Sequence, residues 1–216
     1  MKLFRQIYRA LLPLVVPGVF AAGCAVPEPA TAEVPPPPID LVWSPSGKQA
    51  VFAAVPDGSP EPDCPTELYE LDLEAVTPLR LLQAQPGASD PERDLSCFYD
   101  PKYSADGLQI YFITPAWATS GAIQAYDRTT GKVAFIIDGG PYLVIGSGPH
   151  KGMLLVLRRK YPDNLDYGAY EEIDLVDPLL GKVVSGSPTM AKILRETHGL
   201  GEVQNTIKAL AGWQSW

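Results

Sequence analysis

The alternation of apolar and polar positions is clearest between Asp100 and Asp138. A turn-forming segment, 100–107, comes first, and three apolar or alternating runs follow it, separated by a loop and by a tight turn at 129–132. Short runs of this kind between turn residues are typical of strands in a sheet. The predicted strands of this stretch are 108–113, 122–127 and 133–137.

Weaker copies of the same pattern lie on both sides of this stretch. In the first copy a turn carries Gly47 where the central copy carries Gly107, at a position where positive φ favours glycine. Aspartates in the third run, Asp72, Asp127 and Asp174, recur at spacings of 55 and 47 residues. The predicted strands are 39–43, 49–54, 67–73 and 79–82 in the first copy, and 142–145, 153–157, 170–175 and 181–184 in the third.

Repeats of about 40–60 residues with several strands each indicate propeller blades or stacked sheets. The sequence therefore predicts a mainly β domain over residues 39–186, made of three propeller-like antiparallel blades. Closed propellers contain about four blades or more. We accordingly expect either an incomplete, open propeller or a chain that oligomerises.

The last segment of the chain, 187–216, has a helical pattern instead. Ser187 is a favourable N-cap and Pro188 a favourable first helical residue. Apolar residues then follow at helical spacing, which predicts a C-terminal helix. Such a helix would cover a sheet edge or face left by missing blades.

The repeats resemble the blades of TolB-type β-propellers. The first repeat carries the resemblance in Trp43–Lys48 and Leu68–Asp72, and the second repeat carries it in Tyr103–Gly107 and Ala125–Asp127. The likeness extends from Ile39 to about Val184. It implies the fold and no particular chemistry, because propellers serve both as enzymes and as binding platforms.

The N-terminus has the features of an export signal. Met1–Arg9 is basic, and Ala10–Phe20 is an apolar run too short to span a bilayer, which takes about 20 residues. The run ends in Ala21-Ala22-Gly23-Cys24, which resembles the lipobox of bacterial lipoproteins. The resemblance implies removal of residues 1–23 and a covalent lipid on Cys24. The alternative is an ordinary cleaved signal in which Cys24 is incidental.

Residues 24–38 are rich in proline, and the run Pro35–Pro38 predicts an extended tether between the membrane and the folded domain. Ala25 stands after the cysteine, where an aspartate would favour retention in the inner membrane of a Gram-negative cell. The resemblance therefore implies a lipid anchor in the outer membrane, with the domain facing the periplasm.

The charge of the chain narrows the possible partners. The formal net charge is −8, and loss of Lys2, Arg5 and Arg9 with the signal would take it to −11. An acidic protein repels phosphate backbones, so we expect no nucleic-acid partner. The expected associations are the membrane, through the lipid, and an unknown envelope protein.

Cys64 and Cys97 remain once Cys24 is assigned to the lipid. In an exported chain such a pair predicts a disulfide, and a redox or metal site is the alternative. His150 lies in a predicted turn and His198 near a predicted helix end, and neither belongs to a recognisable catalytic or metal motif. We therefore predict no catalytic residues, no metal and no cofactor besides the lipid.

The long loop of the third repeat carries the predicted partner-binding residues. Tyrosine and arginine are enriched at binding hot spots, and this segment is rich in both. The alternative is that its tyrosines pack on the sheet while its basic side chains are solvated. The predicted partner-binding residues are Arg158, Arg159, Tyr161, Tyr167 and Tyr170.

Acidic loop residues offer a different chemistry, because oxygen-rich loops can bind calcium. Their spacing fits no known calcium loop, and solvated charge is the simpler interpretation. They are Asp57, Glu61 and Asp63 in the first repeat, and Asp163 and Asp166 in the third.

Taken together, these features predict a membrane-anchored envelope lipoprotein that acts as a non-catalytic protein-binding or assembly module. Two alternatives stay open. One is an immunity-type lipoprotein that blocks a toxin in the periplasm, and the other is a hydrolase that uses the acidic loops.

The lipobox gives the first testable prediction. Cys24→Ala removes the thiol that would receive the lipid, so the variant should leave the membrane fraction and the wild type should incorporate labelled palmitate. Membrane association of the variant, with no palmitate on the wild type, would contradict the anchoring.

Overall fold

The computed structural model describes residues 37–75, 78–87, 90–117, 120–161 and 170–184. The chain divides into two units, 1–34 and 35–216, and every described residue lies in the second. The export signal, Cys24, most of the tether and the helical segment 187–216 lie outside the described residues. In the part that is described, no helix has the length and apolar character needed to cross a membrane.

The described residues form three antiparallel sheets of four strands each. In every sheet the strands are neighbours in chain order, as in the blades of a propeller. We call β1–β4 blade 1, β5–β8 blade 2 and β9–β12 blade 3. The strands are β1 Ile39–Trp43, β2 Gln49–Ala54, β3 Glu67–Asp72, β4 Pro78–Gln83, β5 Tyr99–Tyr103, β6 Gln109–Trp117, β7 Ser120–Asp127, β8 Val133–Asp138, β9 Tyr142–Val144, β10 Leu154–Lys160, β11 Tyr170–Asp177 and β12 Lys182–Val183.

The prediction of a mainly β fold with three open, propeller-like blades is confirmed. One strand was not predicted, because β5 occupies part of the segment 100–107 that was expected to be a turn. Pro101 interrupts the sequence pattern there, but β5 is the edge strand of its sheet, where a residue without an N–H is tolerated. A bulge between Tyr99 and Lys102 takes up the irregularity.

The turn between the first two strands has the same geometry in blades 1 and 2. The backbone N–H of Ser44 donates to the carbonyl of Gln49 at 2.8 Å, and Ser104 donates to Gln109 at 2.9 Å. Gly47 has a φ of 70°. Gly107 has a φ of 75°, so both glycines adopt the left-handed conformation that the sequence predicted.

The recurring aspartate of blade 3 is Asp177, and the assignment of Asp174 to this position was wrong. Asp177 ends β11 as Asp127 ends β7, and its Oδ1 accepts the N–H of Leu179 at 2.9 Å, as Asp127 accepts Thr129 at 2.8 Å. In blade 2 the backbone N–H of Thr130 is the main cause of a lowered pKa at Asp127. Asp174 lies three residues earlier, on a buried part of β11, and has a different role.

Two apolar clusters join the blades, and strand β6 contributes to both. Ile110 and Phe112 pack with blade 1, whereas Tyr111 and Ile113 pack with blade 3. Successive side chains of a strand point to opposite faces, so both faces of blade 2 are buried. Burial is also the main cause that raises the pKa of Tyr111 to about 12.

Blades 1 and 3 place alternate residues of their second strands in these clusters. In β2, Val51 and Ala53 face blade 2, and in β10, Leu154 and Val156 do the same. The residues between them belong to two separate apolar clusters, one around Phe52 and one around Leu155. The near-continuous apolar runs of these strands are therefore explained by burial on both faces.

The predicted disulfide between Cys64 and Cys97 is present. It joins the long loop between β2 and β3 to the segment just before β5, with the two Cα atoms 5.2 Å apart. The N–H of Phe98 also donates to the carbonyl of Pro65 at 2.7 Å. Blade 1 is thus fixed to the start of blade 2 at the end where its long loop lies.

The disulfide gives the second prediction. Cys64→Ser combined with Cys97→Ser should lower the free energy of unfolding by about 2–4 kcal/mol, because the unfolded chain loses a cross-link over 33 residues. Urea unfolding of oxidised wild type and of the variant measures the difference. Equal midpoints, or two free thiols in freshly purified wild type, would contradict it.

Candidate functional site: a cleft between blades 2 and 3

The connection between β8 and β9 brings blades 2 and 3 into close contact. Gly139 has a φ of 135°, and a Cβ there would lie 2.8 Å from Val156 Cγ1 and 2.9 Å from the carbonyl oxygen of Leu157. The next residue, Gly140, donates its N–H to the carbonyl of Leu157 at 2.9 Å. Only glycine fits position 139, so the sequence fixes the distance between the two blades at this point.

Arg158 bridges the same two blades through charged groups. Its guanidinium forms an ion pair with Asp138 of β8 and donates to Asp174 of β11 at 3.1 Å, and its Nε–H donates to the carbonyl of Asp138 at 3.1 Å. Lys160 also pairs with Asp174, at 2.7 Å. Because the Arg158 side chain is only 17% exposed, these are largely desolvated contacts that hold the edge of the cleft.

The basic residues of this segment lie on a strand and not on the predicted loop. Strand β10 continues to Lys160, with Arg158 opposite Glu172 and Arg159 opposite Glu171 in β11. Backbone pairing with β11 continues through this register, so the strand extends beyond the predicted end at Leu157 although the sequence there is polar and charged.

A cleft of about 660 Å³ opens beside this junction. It lies between β8 of blade 2 and the ends of β10 and β12 in blade 3. Two aromatic side chains in it are accessible, with Trp117 40% exposed and Tyr161 66% exposed. Other residues that line it are Glu92, Phe135, Asp138, Arg158, Arg159 and Lys182.

A second cleft of about 340 Å³ also borders β8 and shares two lining residues, Glu92 and Phe135, with the first. Glu92 lies in a short 3₁₀ helix, Pro91–Arg93, which Asp90 caps by accepting the N–H of Glu92 at 3.1 Å. The buried side chain of Gln124 donates to the carbonyl of Glu92 at 2.9 Å and fixes this helix on blade 2. Both clefts therefore have a wall that is held by hydrogen bonds.

The structure separates the predicted partner-binding residues. Arg159 and Tyr161 are exposed and line the cleft, whereas Arg158 points into the ion-pair network. Tyr170 is the first residue of β11, opposite Lys160 in the register. Tyr167 lies outside the described residues.

Trp117 is a site residue that the sequence analysis missed. It ends β6 at the hairpin to β7, where its pairing with Ser120 follows an irregularity in the register. A tryptophan next to a predicted loop was the available signal, but the strand was expected to end at Ile113. Because the predicted strand stopped at Ile113, there was no reason to expect Trp117 to lie near the third repeat.

The first strands of blades 1 and 2 present a different group of titratable residues. Asp40 and Asp100 occupy equivalent bulged positions, with φ values of 53° and 50°. Burial raises the pKa of the Asp100 carboxyl, although the Lys102 ammonium beside it acts in the opposite direction. Lys102 lies 4.4 Å from the ring centroid of Tyr142, and the Tyr142 hydroxyl donates to the carbonyl of Asp100 at 2.9 Å.

The side chains that contact Asp100 bear on the alternative hydrolase function. A carboxyl with a raised pKa is a candidate for acid–base chemistry. At Asp100, however, the carboxylate is paired with Lys102, and its backbone carbonyl is bonded to Tyr142. The arrangement ties the first strands of adjacent blades together, and we assign it a structural role.

One group of possible metal ligands occurs among the described residues, formed by Glu61, Cys64 and Cys97. Both sulfurs are in the disulfide, so neither is available as a thiolate ligand. Glu61 is exposed, as are Asp57 and Asp63 in the same loop. The predicted acidic loop residues of the third repeat, Asp163 and Asp166, lie outside the described residues.

The network around Arg158 gives the third prediction. Arg158→Met leaves the carboxylates of Asp138 and Asp174 without their guanidinium, so it should lower the free energy of unfolding by about 2–3 kcal/mol. The neighbouring substitution Arg159→Met is the matched control and should change it by less than about 0.5 kcal/mol. Denaturant unfolding of both variants provides the comparison, and equal stabilities would show that the network does not hold the cleft.

Comparisons with known proteins give only distant likenesses. No family model and no curated protein matches the sequence. TolB from Acinetobacter baumannii is 20% identical, with a TM-score of 0.44 over 67% of this chain and 31% of that one. The putative TolB from Agrobacterium tumefaciens is 18% identical, with a TM-score of 0.43 over 66% of this chain and 46% of that one.

A third likeness is to the β-propeller domain of the Trilobed protease from Pyrococcus furiosus, described as having an open velcro topology. It is 14% identical, with a TM-score of 0.45 over 65% of this chain and 40% of that one. The chain thus spans less than half the length of each of these three structures. Such likenesses assign no activity, and the function has to be argued from the residues of the chain itself.

Proposed function

We propose that the protein is a membrane-anchored, non-catalytic binding module of the bacterial envelope, and that the cleft between blades 2 and 3 binds a partner protein. The observation that carries the proposal is the accessible group of Trp117, Arg159 and Tyr161 around one cleft. These three residue types are the ones most enriched at the energetic centres of protein interfaces.

The rigidity of the cleft supports this role. Its walls include a strand held by Arg158 and a 3₁₀ helix fixed by Gln124, and the close contact at Gly139 joins the two blades beside it. A scaffold that is ordered before binding has little backbone freedom to lose when the partner binds, which favours affinity. Phe135 adds a half-buried apolar surface to the lining.

The volume of the cleft also suits binding of a short protein segment. About 660 Å³ lies within the range of about 300–1,000 Å³ that is usual for ligand sites. A protein partner would insert one or two side chains there and contact the exposed rim. Anchoring through a lipid on Cys24, in the outer membrane and facing the periplasm, would place this surface among other envelope proteins.

The fourth prediction tests the site by capture from an envelope extract. A variant with Trp117→Ala, Arg159→Ala and Tyr161→Ala should lose a partner that the wild type captures, because the exposed contacts are removed. The matched control carries Trp43→Ala, Leu79→Ala and Lys132→Ala, which are exposed positions outside the cleft lining. It should retain the partner.

Circular dichroism and the unfolding midpoint establish that both variants are folded. A partner retained by the cleft variant at wild-type affinity would exclude the cleft as the site. Turnover of an envelope substrate by the purified protein would overturn the non-catalytic assignment. Capture of a toxin would favour the immunity-type alternative, and capture of an envelope-assembly protein would favour the assembly role.

A further inference from the structure

We infer that the segment recognised by the cleft is acidic, with carboxylate side chains next to an aromatic or aliphatic one. This inference rests on the proposed function and specifies its partner. The evidence is the distribution of charge in the cleft, which differs in sign from the charge of the whole protein.

The cations of the cleft fall into two groups. Arg158 is neutralised by Asp138 and Asp174. Arg159 and Lys182 are both exposed, and neither forms an ion pair with any side chain that the structure describes. Their charges are therefore available to a ligand, in a chain whose formal net charge is −8.

The anions that line the cleft do not cancel these two cations. The carboxylate of Asp138 is paired with Arg158, and Glu92 is the other acidic residue that lines the cleft. A carboxylate near Arg159 would accept two parallel hydrogen bonds from the guanidinium, which an ammonium does not offer. The local field consequently favours a short acidic ligand.

Comparison between repeats shows that Lys182 has a special position. Gly131-Lys132 and Gly181-Lys182 are equivalent turns, and Gly131 and Gly181 have φ values of 69° and 60°. Lys132 lies on an exposed turn outside the cleft lining, whereas Lys182 lines the cleft. A Cβ on Gly181 would lie 2.9 Å from the carbonyl oxygen of Ile136, so this turn packs against β8.

Apolar side chains beside these cations define the rest of the ligand. Trp117 and Tyr161 are accessible, and Phe135 is half-buried between the two clefts. A purely ionic ligand would leave these surfaces in water. An acidic segment that also carries an aromatic or aliphatic side chain would use both kinds of contact.

The fifth prediction uses three labelled octapeptides with amidated C-termini and the purified full-length protein. Glutamate, glutamine or lysine alternates with tyrosine and leucine in the three peptides. Fluorescence anisotropy should show the glutamate peptide binding about fivefold or more tightly than the glutamine peptide, with the lysine peptide weakest. The preference should decrease with added salt.

Arg159→Gln combined with Lys182→Gln should reduce the affinity for the glutamate peptide to that for the glutamine peptide. The matched control, Lys132→Gln combined with Lys151→Gln, makes the same change in net charge at exposed turns and should leave the affinity within about twofold. An equal loss in both variants would show general electrostatic attraction and overturn the inference. Equal binding of the glutamate and glutamine peptides would do the same.

Two further measurements test whether the negative charge that the cleft recognises comes from a peptide C-terminus or from a lipid. A glutamine peptide with a free C-terminal carboxylate that binds as tightly as the glutamate peptide would replace side-chain recognition with end recognition. Binding to phosphatidylglycerol vesicles that requires Arg159 and Lys182 would assign the cleft to a lipid surface. Either result overturns the inference.

The proposed function can survive a failure of this test. If the cleft variant loses its captured partner while the octapeptides show no preference for glutamate, the cleft binds a protein of another chemistry. If the peptides bind as predicted but capture is unaffected, the cleft has the inferred chemistry and the captured partner binds elsewhere.

Discussion

Burial of both faces of blade 2 is the constraint on which the rest of the structure depends. Four successive residues of β6, 110–113, point alternately towards blade 1 and blade 3, and all four are buried. Apolar burial contributes roughly 25 cal/mol per Å² removed from water. Blade 2 gains this stabilisation on both sides and provides the surface on which blades 1 and 3 pack.

The candidate site lies at one of these two contacts, the one between blades 2 and 3. The apolar cluster between blades 2 and 3 brings β8 next to β10. Gly139 allows the backbones to approach, and Arg158 neutralises the carboxylates at the edge. The neighbouring Arg159 does not participate in this network and remains exposed. Two adjacent arginines that line one cleft thus have different roles, because Arg158 is paired with Asp138 and Asp174 whereas Arg159 is exposed.

Much of the fold could be predicted because the physical signals are local. Alternating or apolar runs and turn glycines depend only on neighbouring residues, and they located the sheets as well as the turns at Gly47 and Gly107. The disulfide could be predicted because an exported chain with two remaining cysteines allows one intramolecular pairing.

Other features depend on contacts between distant residues. The edge position of β5 explains why Pro101 is tolerated, and that position is a property of the whole sheet. The role of Asp174 depends on Arg158 and Lys160 across the strand pair, so its spacing from Asp127 was misleading. Trp117 and Tyr161 come together only through the packing of two blades.

Hydrogen exchange of the backbone amides tests the central claim most directly. If blade 2 is the support for both neighbours, amides of β6 and β7 should exchange most slowly, since they are exposed only when both interfaces open. Amides of β2 and β3, and of β10 and β11, should exchange faster. Slower exchange in blade 1 or blade 3 than in blade 2 would contradict the account.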